Sequence, residues 1–100
     1  LATVVVYEGD RDLGGDQLVL AGQQMSDAIN PLANTFNCTN SGVGRDVADG
    51  GAGATNLLGM DLDRFWVPDA RVPGTSTTSV EFTTNADVYL PGVVALAIDR

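Results

Sequence analysis

The stretch Ser79-Val80-Glu81-Phe82-Thr83-Thr84-Asn85-Ala86-Asp87-Val88-Tyr89-Leu90-Pro91-Gly92-Val93-Val94-Ala95-Leu96-Ala97-Ile98 decides the fold class. Its first five residues alternate polar and apolar, which places Val80 and Phe82 on the inward face of a strand. Asn85-Ala86-Asp87 reads as a turn. Val88-Tyr89-Leu90 opens a last strand that Pro91-Gly92 breaks or bulges, and Val93 to Ile98 completes it. No helical period fits this run.

Moving outward, the same grammar recurs. Thr3-Val4-Val5-Val6-Tyr7 is a β-branched strand stopped by Glu8-Gly9-Asp10, and Gln17-Leu18-Val19-Leu20 is a second, ended by Gly22; the two resemble a hairpin with a long acidic loop. Asp61 to Val67 alternates, with Asp63, Phe65 and Val67 on one side and Leu62, Arg64 and Trp66 on the other, until Pro68. Ser26 to Asn30 could form one helical turn capped by Ser26, and Pro31 forbids a longer one. Asn34 to Asn40 reads as irregular or a short strand, and Gly42 to Gly53 as a loop with five glycines. Val, Ile and Thr supply 23 of the 100 residues, which suits strands. Five or six strands with frequent turns point to one all-β domain over 1–100, an antiparallel β-sandwich of jelly-roll or Ig-like type. Pro73-Gly74 marks a further turn.

Two strands break the alternation. Val4-Val5-Val6 and Val93-Val94-Ala95-Leu96-Ala97-Ile98 are apolar on both faces, whereas a strand in a two-layer fold leaves one face wet. The strand count also falls short of a typical sandwich. A loop such as 42–53, or the 23–36 segment, could cover the extra face. The alternative is that a neighbour completes the fold by strand pairing. Val4, Val5, Val6, Val93, Val94, Leu96 and Ile98 are then the interface, with Asp99 and Arg100 as charged stops.

Composition narrows the function classes. Thirteen acidic residues against five basic give a net charge of -8, and all five basic residues are Arg. Such a surface repels nucleic acid. Without Lys or His, and with one Cys, the chain has no Ser-His-Asp or Cys-His site, no Schiff-base lysine, no His-ligated metal and no internal disulfide. Cys38 reads as a buried small hydrophobe. No apolar run is long enough to span a membrane. Plentiful Gly, Thr and Asn without Lys suit an extracellular or cell-surface location, and a start at Leu1 suits a processed chain or a fragment.

Three places could carry chemistry. Glu8, Asp10, Asp12 and Asp16, with Gly9, Gly14 and Gly15 between them, offer hard oxygens for Ca²⁺. The EF-hand pattern fails at Gly14 and at Ala21, so the site would be of another kind or simply a solvated acidic turn. Asp61 and Asp63, with Asp46 and Asp49 in the Gly-rich loop, could share a second cation or pair with Arg64. Trp66 could be a sugar-stacking platform, an interface anchor or a core-edge residue. Paired carboxylates could serve a glycosidase, but so short a chain lacks a cleft, and no enzymatic role is read. Asn37-Cys38-Thr39 fits the N-glycosylation pattern.

The motifs Tyr7-Glu8-Gly9-Asp10, Gly15-Asp16, Asn30-Pro31, Asn34, Asn56, Gly59-Met60-Asp61 and Asp87-Val88-Tyr89-Leu90-Pro91-Gly92-Val93-Val94 resemble a recurring β-sandwich module of large bacterial secreted and cell-surface proteins. That family has no agreed enzymatic role. The chain departs from it at Thr35 and Cys38, where Phe and Ser are usual, and at Ala86, where Gly is common. The resemblance implies a surface domain with structural or adhesive duty; the two-faced apolar strands point to copies of itself or a neighbouring surface-protein segment as partner. Ca²⁺-dependent carbohydrate binding through the acidic loop and Trp66 is the rival expectation.

Overall fold

The computed structural model describes residues 1–43, 59–67 and 77–97. Among them there is no helix, and seven strands run in order: β1 Ala2–Tyr7, β2 Gln17–Leu20, β3 Gln23–Gln24, β4 Asn40–Gly42, β5 Met60–Phe65, β6 Val80–Thr83 and β7 Leu90–Leu96. They form a four-stranded sheet, β4-β5-β1-β7, and a three-stranded sheet, β3-β2-β6. Asp46, Asp49, Asn56, Pro68, Pro73-Gly74, Ile98, Asp99 and Arg100 lie outside the described residues.

β1 is a central strand. It pairs antiparallel with β5 (Val4 opposite Asp63, Val6 opposite Asp61) and with β7 (Val4 opposite Val94, Val5 opposite Val93). Its even positions Ala2, Val4 and Val6 are buried, the period of two expected of a strand with one face on a core. The expected β1–β2 hairpin is not formed, because the two strands belong to different sheets. Val4 and Val6 instead share one apolar core with Leu18 and Leu20 of β2. Packing two apolar faces against each other removes more surface from water than joining two edges. Nor is the sheet wholly antiparallel, since β4 runs parallel to β5, with Ser41 opposite Asp63.

Local chemistry explains the turns. Leu20 pairs with Gln23 across Ala21 and Gly22, whose φ angles of 51° and 77° are the left-handed pair of a type I′ hairpin. Ser26 does not cap a helical turn. Asp27 Oδ1 accepts the Ile29 and Asn30 N–H groups, both at 2.9 Å, a carboxylate-closed turn that competes with helix. In β7 the register slips: Val5 faces Val93 while Val6 faces Pro91, leaving Gly92 as the extra residue of a bulge. A Cβ on Gly92 would meet Tyr7 Cε2 at 2.7 Å, so only glycine lets that ring lie across the strand.

The core is centred on a loop residue. Phe36 is wholly buried, with ring centroids 5.8 Å from Phe82 and 5.0 Å from Tyr89. Val80, Phe82, Tyr89 and Leu96 pack around the buried cluster. β6 therefore faces inward through Val80 and Phe82, as its alternation requires.

Candidate functional site

The acidic loop divides. Glu8, Asp10 and Asp12 are exposed and line an open depression with Arg11, Leu13, Cys38 and Gly59. Asp16 is wholly buried, and its Oδ2 accepts the Phe36 N–H at 2.6 Å. Among the described residues no group of three or more His, Cys, Asp or Glu side chains is gathered to hold a metal.

Asp16 and Asp61 share the organisation of one loop. Asp61 Oδ1 accepts the Thr39 N–H at 3.0 Å, with the Cys38 and Asn37 amides pulling the same way. Burial nevertheless pushes the Asp61 carboxyl up to about 6. Burial likewise raises Asp16, against the Phe36 and Thr35 amides. Five consecutive amides, 35 to 39, thus turn toward two buried carboxylates. Such a loop has no ladder of its own, so carboxylates supply the acceptors its N–H groups need. Gly9 completes the fit, since a Cβ there would collide with Asp61 Oδ2 and come within 2.8 Å of the Phe36 carbonyl oxygen.

Asp63 differs. It projects inward from β5 between Val4 and Ser41, and it is wholly buried. Among the described residues no hydrogen bond closes on either carboxylate oxygen. Burial, and then the neighbouring Asp61 charge, push its carboxyl up to about 8, although Ser41 and Asn30 draw it back in part. Asn30 Nδ2 donates to Ser41 Oγ at 2.7 Å. Asp61 and Asp63 do point to one side of β5, but it is the core side, away from Arg64, which is exposed.

Trp66 is 62% exposed and borders a separate cleft with Gln23, Gln24, Ser26 and Asp27. Because β5 runs antiparallel to β1, with Ala2 opposite Phe65 and Tyr7 opposite Met60, Trp66 and Glu8 lie at opposite ends of the sheet. Six residues of strand separate them by about 20 Å. They cannot form one site, which corrects the combined acidic-loop and Trp66 expectation. Cys38 is buried, with its thiol donating to the Gly9 carbonyl at 2.6 Å. Asn37 is not an open glycosylation acceptor, since its Nδ2 donates to Ile29 O and its Oδ1 accepts from Thr39 Oγ1.

The valine-rich strands also separate. β1 is hydrogen-bonded on both edges, and Val4 and Val6 are core residues; it has no edge left for a neighbour, which corrects their assignment to a strand-pairing interface. Among the described residues β7 is an edge strand. Val93 is 54% and Leu90 59% exposed, and of its seven residues only Leu96 is half-buried. On the outer face, cross-strand rows Met60–Tyr7–Leu90 and Leu62–Val5–Val93 place apolar side chains side by side. Sequence reasoning missed Asp87, read as a turn residue; it is buried, and the only signal for it was its place before a strand.

Comparison with protein-family models, curated proteins and solved structures found no match.

Proposed function

We infer that this chain is a structural or adhesive module of an extracellular or cell-surface assembly. In this reading the two sheets form a β-sandwich of jelly-roll or Ig-like kind, and a strand from another copy or a neighbouring surface-protein segment completes it along β7. One observation carries the reading. Among the described residues β7 is a seven-residue edge strand with exposed apolar side chains and no charged residue. Edge strands are normally protected by charge, proline, a bulge or shortness. Here Pro91 and the Gly92 bulge guard the first half, and the second half, Val93 to Leu96, contains no charge, proline or bulge. The net charge of -8 opposes random association but does not fall on this strip. No catalytic role is part of the reading.

Sedimentation velocity over a micromolar concentration series tests it. The chain is expected to associate, and Val93→Lys, on an exposed position, to weaken association at least about tenfold, or 1.4 kcal/mol, while leaving circular dichroism unchanged. A monomer at every concentration, with amides 93–96 protected from exchange, would overturn the reading.

A second reading, carbohydrate binding, is favoured by the exposed Trp66 beside the amides of Gln23 and Gln24 and the Asp27 carboxylate. An indole face stacks on sugar C–H groups while flanking amides and carboxylates take hydroxyls. Binding on a glycan array that Trp66→Ala abolishes is the expected result, and an array without signal removes this reading.

A further inference from the structure

Three segments meet at one end of the three-stranded sheet: Gly15-Asp16 leading into β2, Ala33-Asn34-Thr35, and Asn85-Ala86-Asp87 following β6. Main-chain bonds tie them together. Gly15 N–H donates to Ala33 O at 2.7 Å, Asn85 N–H to Gly15 O at 3.2 Å, and Thr35 N–H to Asp16 O at 3.5 Å. Asp16 and Thr35 are wholly buried and Asp87 is 2% exposed.

Each of the three keeps an oxygen with no hydrogen-bond partner among the described residues: Asp16 Oδ1, Thr35 Oγ1 and Asp87 Oδ2. The other oxygen of each carboxylate is already engaged by an amide, Phe36 N–H for Asp16 and Val88 N–H for Asp87, both at 2.6 Å. For Asp16 the Phe36 amide works against the burial that raises its carboxyl. Two buried carboxyl groups, each with an unpartnered oxygen, are costly unless something satisfies those oxygens. Among the described residues no counter-charge is supplied here: the chain has no Lys, and Arg11 and Arg64, the described arginines, are exposed. The charge that bears on Asp16 from Asp87 is repulsive. One divalent cation would engage the unpartnered oxygens of Asp16, Thr35 and Asp87 together.

We propose that Asp16, Thr35 and Asp87 form a Ca²⁺ site that staples the segment leading into β2, the 33–35 segment and the end of β6. The donors are hard oxygens from three separate segments, which suits the irregular six-to-eightfold shell of Ca²⁺ better than the strict octahedron of Mg²⁺; main-chain carbonyls or water would fill the rest. This site keeps only Asp16 of the acidic loop, and it does not depend on the strand-pairing reading.

Thermal unfolding at pH 7 in EGTA and in millimolar CaCl₂ is the test. A Ca²⁺ concentration about a hundredfold above Kd should raise Tm by about 10–20 °C. Asp16→Asn and Asp87→Asn should each abolish the rise, and Thr35→Val should reduce it. A second readout does not rely on stability. Tyr89, whose hydroxyl is pushed up to about 12 by burial and then by the charges of Asp16 and Asp87, should sensitise bound Tb³⁺. Ca²⁺ should quench that emission by displacement, and Tyr89→Phe should remove most of it while keeping the Ca²⁺-dependent rise in Tm. Absence of both a Tm rise and Tb³⁺ emission overturns the proposal. So does a Tm rise that survives Asp87→Asn, or one that follows Asp10→Asn or Asp12→Asn instead.

Discussion

Phe36→Ala is expected to cost about 3–5 kcal/mol, the range for removing a fully buried phenylalanine. The ring has no exposed surface and meets both Phe82 and Tyr89. It therefore joins the 34–40 loop to β6 and to the segment preceding β7. The neighbours that would have to collapse into the space are themselves tied down. Phe82 is paired into β6 opposite Leu18, and the Tyr89 hydroxyl donates to Thr83 O at 2.8 Å. A domain of this size has about 5–15 kcal/mol in all, so the variant should sit near the threshold of folding. Tm should fall by roughly 20 °C. Urea denaturation checks the figure: the midpoint should drop with the slope unchanged. A loss below about 1 kcal/mol would mean that the core is not organised around this ring.

Asp63→Asn should act in the opposite direction, and only at higher pH. In the unfolded chain the Asp63 carboxyl ionises near 3.8, while in the fold it is held up to about 8. Below the lower value both states bind the proton, and the fold keeps its full stability. As pH rises toward 8 the unfolded chain releases a proton that the folded chain retains, so stability falls, by at most about 1.4 kcal/mol per pH unit. Above the folded value the decline stops. Asp61, raised to about 6, adds a decline of the same sign over a narrower window. Asparagine keeps the shape and removes the charge. Wild type and variant should match near pH 4, and the variant should be more stable by about 3–5 kcal/mol near pH 8. Urea midpoints at pH 4, 6 and 8, measured in EGTA, give the answer; parallel curves for the two proteins would sink the assignment.

Much of the strand pattern was legible. The alternation of 79–83 and the β-branched run 3–7 located β6 and β1, because a period of two is a local property of the chain. Pro91-Gly92 announced the bulge, since a residue without an N–H beside a residue without a Cβ interrupts a ladder. Nothing local distinguished a hairpin from a crossover at 8–16. The choice rests on Leu18 and Leu20 finding Val4 and Val6 across the core. For the same reason two similar valine runs look alike as text, yet one is a paired central strand and the other an edge.

The amino-acid order by itself determined an all-β chain, the places of its main strands, an acidic surface, and the absence of His, of Lys and of an internal disulfide. Those follow from composition and from neighbours one or two positions apart. Only the tertiary structure decided which carboxylates leave water. Asp12 and Asp16 are four residues apart, and one is exposed while the other is buried beside Thr35 and Asp87. A carboxylate's environment is set by what packs around it, and here the packing comes from segments separated by as much as about seventy residues of chain, beyond the reach of any local pattern.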